Sequence, residues 1–523
     1  MKSQTEKTPK QDLPRDSILV THHQDYTVGQ TTGGLSVVFT ILCIVDYLGV
    51  FPVITLPKSI ITCGIYGIPL VLSVTGLQLY TAGLLGRSWL LAKDIAPLIT
   101  DKIRSPYAAI AELAFGPQAR RVVIFLIDAT VFGSGVPNFI LAAQSMQMFW
   151  WKITGGGVGI TYCVWMLLLG VILCPVMWLG SPKDMKPLAL ASVFIVGTVA
   201  ICTWTCILMD NVTPISVENL LNYKPQLGDF LMAYGILAFQ FDIHPMLLTI
   251  QVDMRDSRKI NAAVLGGFGT TGLMFIVTTL LVATRYGTEI DSNILQTIPP
   301  SIPLYMVALL VTVQLSLSSA VGNSALFQHI EDLLQIPRTF CLQRCLIRSS
   351  IIAVAIFLGE SVPRFDLVMG LVGSTLTGPL MFVFPPMIFL RLCYLKSIKD
   401  EDIALSKRLK RGIKIDSIKN GATNGVKNGG HKKWPLIKEA FGTKYKTFTS
   451  TYVEIHPNGE DEYSIKWYDV LLALIVMAMG VGATMIATYT SWANTIAYAE
   501  FSPPCLINAT IAARSFLRQP PAL

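Results

Sequence analysis

The chain has 523 residues, a formal net charge of +8 and a mean hydropathy of +0.54. Only 14% of its residues are charged, whereas soluble globular proteins average about 25%. These values exclude an ordinary water-soluble protein and indicate an all-α polytopic membrane protein.

The amino-terminal segment, residues 1–34, is polar and carries charges of both signs. It lacks the charged start, the apolar stretch and the cleavage site of a secretory signal peptide. We therefore expect a cytoplasmic amino-terminal tail, followed by a first membrane helix that acts as an uncleaved insertion signal.

Apolar stretches that suit membrane helices, which need roughly 18 or more apolar residues, recur along the chain. The eleven predicted spans are 35–62, 67–86, 122–149, 159–178, 188–209, 228–250, 260–284, 302–328, 345–359, 365–390 and 468–490. Together they form one predicted transmembrane domain over residues 35–490. Between the second and third spans, Ser105–Pro117 predicts a short helix at the cytoplasmic surface, which Ser105 can cap.

The first ten spans divide into two sets of five, residues 35–209 and 228–390. Because five is odd, the second set must insert upside down relative to the first, as in secondary transporters built from inverted repeats. Such transporters bind substrate where the first helix of each set is broken. Gly49 and Pro52 predict a break in the first span, and Pro245 predicts one in the sixth.

The two breaks predict the substrate site. Unpaired backbone groups are costly in lipid, so breaks persist where they line a cavity. The freed amide and carbonyl groups can bind a carboxylate and a cation, and a zwitterionic amino acid carries both charges. The predicted substrate-binding residues are Gly49, Val50, Phe51, Phe241, Asp242 and Ile243. The alternative is a pair of ordinary proline kinks in packed helices.

Titratable side chains beside the breaks predict ion coupling. An ionisable group such as Asp46 is costly in the membrane and is by default a functional hypothesis, and histidine, here His244, titrates most easily near neutrality. Asp46 could instead cap the broken helix, and His244 could be a neutral ring bonded within the bundle. Ser318 and Ser319 in the eighth span could supply oxygen atoms to sodium, although serines also bond to their own helix. We rank protons above sodium as the coupling ion.

Two further acids receive structural interpretations. Asp128 in the third span is read as a structural residue, and Glu360 at the end of the ninth span is expected to be solvated. Motifs of other function classes are absent from the sequence, which contains no Walker loop, HExxH or GxSxG motif. Cys341 and Cys345 lack the second pair of ligands that a zinc site needs. We therefore expect no enzymatic activity, no cofactor, no metal site and no nucleic-acid partner.

Residues 391–466 predict a disordered cytoplasmic loop with basic and Gly/Asn-rich stretches. A basic segment beside a membrane attracts anionic lipid, and the alternatives are contact with a protein partner or a solvated tether. Helix eleven at 468–490 and an exoplasmic carboxyl tail at 491–523 complete the predicted organisation.

Lysine and arginine set the orientation. With the amino end in the cytoplasm, all but seven of the 41 lysines and arginines fall on the cytoplasmic side, as the positive-inside rule requires. The glycosylation sequons at Asn211 and Asn508 both fall on the exoplasmic side. The pattern does not distinguish the plasma membrane from a vesicular or lysosomal membrane.

Several segments resemble the amino acid/auxin permease family in order and spacing. They are Ile54–Gly64, Phe115–Pro117, Phe239–Asp256 and Asp366–Ser374. The stretch Val362–Gly378 is similar to the vesicular inhibitory amino acid and proton-coupled amino acid branches. The resemblance implies an eleven-helix inverted-repeat fold, an exoplasmic carboxyl end and amino acid transport. Where the family usually has Leu-Pro-Tyr-Ala, this chain has Lys58 and Ser59 after Leu-Pro, and a cation beside the site disfavours a cationic substrate.

The leading hypothesis is a proton-coupled secondary transporter that carries amino acids across the bilayer by alternating access. A sodium-coupled transporter and a non-transporting amino acid sensor, which would signal through its long loop, are the alternatives. A channel is disfavoured because paired broken helices form an occluded site and not a continuous pore.

Overall fold

A computed structural model describes residues 34–97, 105–154, 160–179, 185–212, 223–337, 340–419, 467–498 and Pro504. Within these ranges the regular structure is helical, apart from one isolated parallel bridge between Leu35 and Met254. The predicted amino-terminal tail up to residue 33, the loop from residue 420 to 466 and the sequon at Asn508 fall outside these ranges.

The α-helices follow one another along the chain with short connections. Their bounds are α1 (Val37–Leu48), α2 (Phe51–Ile54), α3 (Leu56–Ile61), α4 (Gly67–Ile95), α5 (Pro106–Phe115), α6 (Pro117–Ile153), α7 (Tyr162–Leu179), α8 (Met185–Met209), α9 (Leu227–Gln240), α10 (His244–Asp253), α11 (Ile260–Tyr286), α12 (Ile294–Thr297), α13 (Ile302–Leu333), α14 (Leu342–Ser361), α15 (Phe365–Val372), α16 (Phe384–Lys419) and α17 (Trp467–Tyr498). Two π-helical turns, Gly373–Thr377 and Pro379–Val383, join α15 to α16.

Helices long and apolar enough to cross a membrane dominate the fold. In the part of the chain that the structure describes, nine helical stretches meet this criterion, and Val37–Leu48 and Tyr162–Trp178 are shorter apolar helices. These elements coincide with the eleven predicted spans. The short surface helix predicted after Ser105 is also present, as α5. The all-α polytopic prediction is therefore confirmed.

The first span is broken directly after α1. Gly49 adopts φ 63° and ψ −151°, a combination that is essentially restricted to glycine. Its amide still bonds to the Val45 carbonyl at 3.0 Å, and the helix then restarts at Phe51 with Pro52 in its first turn. The backbone conformation of Gly49 thus ends α1 in the middle of the predicted span.

The sixth span is broken between α9 and α10. Residues 241–243 form a non-helical link, and α10 begins at His244 with Pro245 in its first turn. Proline suits this position because the first helical residues have no carbonyl acceptor one turn back. The breaks therefore fall in the first and sixth spans, the positions that the inverted-repeat arrangement predicts.

Close packing of the helices holds the two breaks together. α13 packs against α6 and α8, α1 packs against α8 and α11, and α9 packs against α15 and α17. Where α9 meets the π-helical turn after α15, a Cβ on Gly373 would clash with the carbonyl oxygen of Gly235. Small residues permit such close approach of membrane helices, so the chain requires glycine there.

The structure corrects the extent of the predicted loop. α16 continues to Lys419, so residues 391–419 of the segment that we predicted as disordered are helical. α17 likewise extends to Tyr498, eight residues beyond the predicted end of helix eleven at residue 490. Residues 391–419 are helical because Lys, Arg and Leu, which are good helix formers, are frequent in this basic segment.

A short backbone bridge connects the start of α1 to the end of α10. The amide of Leu35 donates to the Asp253 carbonyl at 2.8 Å, and the amide of Arg255 donates to the Leu35 carbonyl at 3.1 Å. The two half-helices, one from each predicted repeat, are thereby fastened at the ends remote from their breaks.

Candidate functional site

The carbonyl groups freed at the breaks are partly satisfied by buried glutamines. Gln240 donates its side-chain amide to the Leu48 carbonyl at 2.6 Å, which ties the end of α9 to the end of α1. Gln78 on α4 donates at 3.3 Å to the Leu237 carbonyl, which also accepts the backbone amide of Phe241 at 3.2 Å. A buried carbonyl without a partner costs about 1–3 kcal/mol, so these amides stabilise the broken backbone without closing the gaps.

The second break carries a buried carboxylate and a buried imidazole. Asp242 Oδ1 accepts the backbone amide of His244 at 3.2 Å and lies 3.4 Å from Nδ1 of the same residue. Nε2 of His244 bonds to the hydroxyl of Thr81 at 3.0 Å. Asp242 Oδ2 has no hydrogen-bond partner among the described residues, so one carboxylate oxygen stays available for a ligand.

The two breaks meet at a cavity of about 1040 Å³. It extends from the breaks to the bridge, between α1, α6, α10 and α13. Its polar lining includes Asp46, Thr130, Ser134, Asn138, Gln240, Asp242, Gln314, Ser318, Ser319, Asn323 and Thr377. Ligand sites in proteins are commonly about 300–1,000 Å³ with a few converging polar groups, and this cavity fits that description.

The predicted substrate-binding residues divide into two groups. Gly49, Phe51 and Asp242 line the cavity. Val50, Phe241 and Ile243 do not line it and are buried in the hydrophobic core behind the wall. The ring of Phe241, for example, packs against Phe268 of α11 with centroids 5.5 Å apart.

The predicted ion-coupling residues are also separated by the structure. Asp46, Ser318 and Ser319 line the cavity, whereas His244 lies behind its wall. Ser319 accepts a hydrogen bond from the Asn138 amide at 3.3 Å, which joins α13 to α6. Ser316, on the same helix, bonds to the Thr312 carbonyl at 2.7 Å and is not part of the lining.

Phe51 and Phe239 close the cavity on the side of α2 and α9. Their rings meet edge to face with centroids 6.5 Å apart. One helical turn further on, a smaller cavity of about 480 Å³ begins at Thr55 and Ile236. Lys58 lines this second cavity and donates to the Ile290 carbonyl in the segment before α12. Among the described residues, the large cavity lies on the α1 side of this aromatic pair and the smaller cavity lies on the other side.

Two acidic residues, Asp128 and Glu360, lie outside the cavity lining and contact other parts of the helix bundle. Asp128 pairs with His329 of α13, so this pair links α6 to α13. Glu360, which we expected to be solvated, is only 3% exposed. The helix end that carries it is thus packed into the bundle and not presented to solvent. Asn211, the sequon within the described ranges, is exposed after α8.

Sequence reasoning missed several polar residues at the site. Gln314, Ser192 and Asn138 lie in long apolar helices, and Gln314 and Asn138 contribute to the lining. A polar side chain in an apolar span is itself a signal, because such groups are costly in lipid and face the bundle interior. Applied to every span, this criterion would have found them. Groups of three or more side chains suited to a metal ion do not occur among the residues that the structure describes.

The chemistry of the cavity suits a small ligand with both charge signs. Backbone amides at the first break can donate to a carboxylate, while Asp46 and Asp242 supply negative charge. Phe51 and Phe239 supply an apolar surface at its closed end. These groups can bind and orient a zwitterion, and they do not form a nucleophile–base pair for catalysis.

Comparison with known proteins adds an independent finding. Residues 33–420 match a family model described as "Transmembrane amino acid transporter protein". The chain is 24% identical over 293 residues to "Amino acid transporter AVT1B" of Arabidopsis thaliana, covering 55% of this chain and 53% of that protein. It is 22% identical over 356 residues to "Vacuolar amino acid transporter 3" of Schizosaccharomyces pombe, covering 65% and 53%.

The name of a further relative states the ion to which its transport is coupled. The chain is 26% identical over 174 residues to "Sodium-coupled neutral amino acid transporter 4" of Pongo abelii, covering 32% of each chain. The chain spans about half the length of the Arabidopsis and fission yeast relatives that it matches.

Proposed function

The chain belongs to the transmembrane amino acid transporter family, and from that membership we propose that it is a secondary active amino acid transporter that works by alternating access. Members of this family are transporters and not enzymes. The observation that carries the proposal is the cavity of about 1040 Å³ at the two breaks, which extends to the residues before α1 and has Phe51 and Phe239 at its other end.

The substrate occupies the cavity between the breaks in this proposal. Its carboxylate is held by the backbone amides of Val50 and Phe51, which follow the end of α1 and have no intrahelical acceptor. Its ammonium group faces Asp242, whose Oδ2 has no hydrogen-bond partner among the described atoms. The side chain of the substrate lies toward Phe51 and Phe239. Lys58, one turn beyond this closed end, disfavours a cationic side chain by charge repulsion.

Uptake into proteoliposomes tests the proposal. We expect the purified protein to accumulate at least one neutral amino acid from a panel above its external concentration when an ion gradient is imposed. A sensor would bind amino acid without accumulation, and a channel would equilibrate it without concentrating it. Empty liposomes and the panel at two pH values serve as controls, and failure to accumulate any amino acid under any gradient contradicts the proposal.

The coupling ion in this proposal is the proton, bound at Asp46. Asp46 lines the cavity beside the first break, and its Oδ1 lacks a hydrogen-bond partner in the described structure. Sodium is the second candidate, because Ser318 and Ser319 also line the cavity and one relative is named as sodium-coupled. The name of the fission yeast relative says vacuolar, which favours a vesicular or lysosomal membrane over the plasma membrane.

The proposed topology places the amino end and residues 391–466 in the cytoplasm and the carboxyl end on the exoplasmic side. Cys163, at the start of α7, is disulfide-bonded, and this topology puts it near the exoplasmic face. Disulfides persist in oxidising compartments, so this bond supports the orientation.

Protease accessibility checks the topology. We expect trypsin to cut within 391–466 only when it is added from the cytoplasmic side, for example to sealed organelles with their cytoplasmic face outward. A tag after residue 523 should be protected in the same vesicles until detergent is added. Cleavage of the loop from the exoplasmic side, with the tag intact, contradicts the proposed orientation.

A further inference from the structure

Three buried polar side chains from three helices meet beside the first break. They are Asp46 of α1, Ser192 of α8 and Gln314 of α13, which are 6%, 1% and 0% exposed. The Ser192 side chain faces the Asp46 carboxylate, and its hydroxyl accepts the Gln314 side-chain amide at 3.4 Å. α1, α8 and α13 pack against one another at this point, so the three side chains form one cluster at a three-helix junction.

The cluster contains more hydrogen-bond acceptors than donors. Asp46 Oδ1 and Gln314 Oε1 are both buried, and neither has a partner among the described atoms. An ionised carboxylate only accepts hydrogen bonds, whereas a protonated carboxyl group also donates one. A single proton on Asp46 would remove the buried charge and supply the donor that the Gln314 oxygen lacks.

The neighbouring charges do not supply that compensation. Besides Asp46, the titratable groups in the cavity lining are Cys43 and Tyr47 of α1, Asp242 of the second break, and Asp253 and Arg255 beside the bridge. Asp242 lies 3.4 Å from His244. The described part of α8 beyond Ala189 carries no charged side chain. Charged side chains on α11 and α13 lie near helix ends, at Arg285, His329, Glu331 and Asp332. Asp46 therefore requires a proton or another mobile cation.

Gln314 also touches the break itself. Its Nε2 atom lies 3.1 Å from the position that a Cβ on Gly49 would occupy. A rotation of the Gln314 amide that turns its oxygen toward a protonated Asp46 therefore changes the packing against the backbone of Gly49. The backbone amides proposed to hold the substrate carboxylate, those of Val50 and Phe51, follow Gly49 directly in the chain.

We propose that Asp46, Ser192 and Gln314 form the proton-binding cluster, in which Ser192 and Gln314 are positioning residues and Gln314 transmits the state of Asp46 to Gly49. The inference rests on the proposed function and deepens it. A proton from the side of higher proton concentration forms an O–H bond with the Asp46 carboxylate. On the other side this O–H bond breaks and the proton passes to water, and no other covalent bond changes. Ser192 stabilises the ionised carboxylate and Gln314 stabilises the protonated one.

The opposite preferences of the two positioning residues give the test. We expect Ser192→Ala to shift the pH of half-maximal, gradient-driven amino acid accumulation upward, because the ionised form loses a donor. Gln314→Leu should shift the same midpoint downward, because the protonated form loses its acceptor. Each shift should be about one pH unit or more, which corresponds to a tenfold change in proton affinity. Ser316→Ala, on the same helix but bonded to its own backbone, should leave the midpoint unchanged.

Folding of each variant is checked by size-exclusion profile and by substrate counterflow at fixed pH. Midpoints that stay at the wild-type value, or that move in the same direction in both variants, overturn the cluster while leaving the proposed function intact. Wild-type protein that accumulates no amino acid in a pH gradient overturns the proposed proton coupling and the cluster together. Opposite shifts with an unchanged Ser316→Ala midpoint support the cluster.

Discussion

We expect Gly49→Val to abolish amino acid uptake while the protein still reaches the membrane. The backbone of Gly49, with φ 63° and ψ −151°, is in a region that other residues avoid at a cost of about 1–3 kcal/mol. A Cβ there would also lie 3.1 Å from the Gln314 amide nitrogen, and valine adds two methyl groups beyond it. The substitution therefore distorts the break at the site where the substrate is proposed to bind.

A matched substitution separates this local effect from a general loss of stability. Gly76 lies on an exposed face of α4, and a Cβ there would have no atom within 4 Å. We expect Gly76→Val to retain uptake, and Gly49→Ala to lie between wild type and Gly49→Val because it imposes the same backbone strain with less bulk. Uptake rates and apparent affinities are measured in proteoliposomes containing equal amounts of each variant. A Gly49→Val protein with the wild-type apparent affinity would show that the substrate site is elsewhere.

The second large effect is expected at Asp46. In sodium-free buffer with an acidic exterior, wild-type proteoliposomes should accumulate amino acid, and Asp46→Asn should lose this accumulation by about tenfold or more, equivalent to 1.4 kcal/mol of coupling. Asparagine has nearly the same shape but cannot exchange a proton. Exchange of external for internal amino acid should persist, because exchange requires the substrate site but no net proton movement.

Two companion variants refine the proton experiment. His244→Gln keeps a polar group near Thr81, and because the ring lies behind the cavity wall, we expect it to retain pH-driven accumulation better than Asp46→Asn. Asp400→Asn, at an exposed position on α16, is the control for loss of one carboxylate and should behave as wild type. Accumulation that depends on sodium and ignores pH would disprove the proton assignment, and Ser318 and Ser319 would then be the first residues to substitute.

The positions of the breaks were accessible from sequence because their causes are local. Gly49, Pro52 and Pro245 each restrict or free the backbone at their own position, and their effects do not depend on distant contacts. The helix spans were accessible for a similar reason, since the length and hydrophobicity of each run determine them. The positions of both breaks and the apolar spans between them therefore agree with the structure.

The direction in which side chains point at the breaks was not accessible in the same way. Val50, Phe241 and Ile243 were included because they adjoin the breaks, yet they point into the core. In a helix or strand the side-chain direction follows a fixed period, but a non-helical link has none. Ser192 and Gln314 were missed for another reason. Their contact joins residues 122 positions apart in the chain, and a single sequence carries no record of which helices meet.

The bridge at Leu35 has a mechanical consequence. α1 is severed from the rest of its span at Gly49, and α10 is severed at residues 241–243, but their far ends are fastened to each other through both backbone groups of Leu35. Movement of one half-helix alone would break the two hydrogen bonds of the bridge. We therefore expect α1 and α10 to pivot together about the two breaks, as one rigid unit, when the cavity widens.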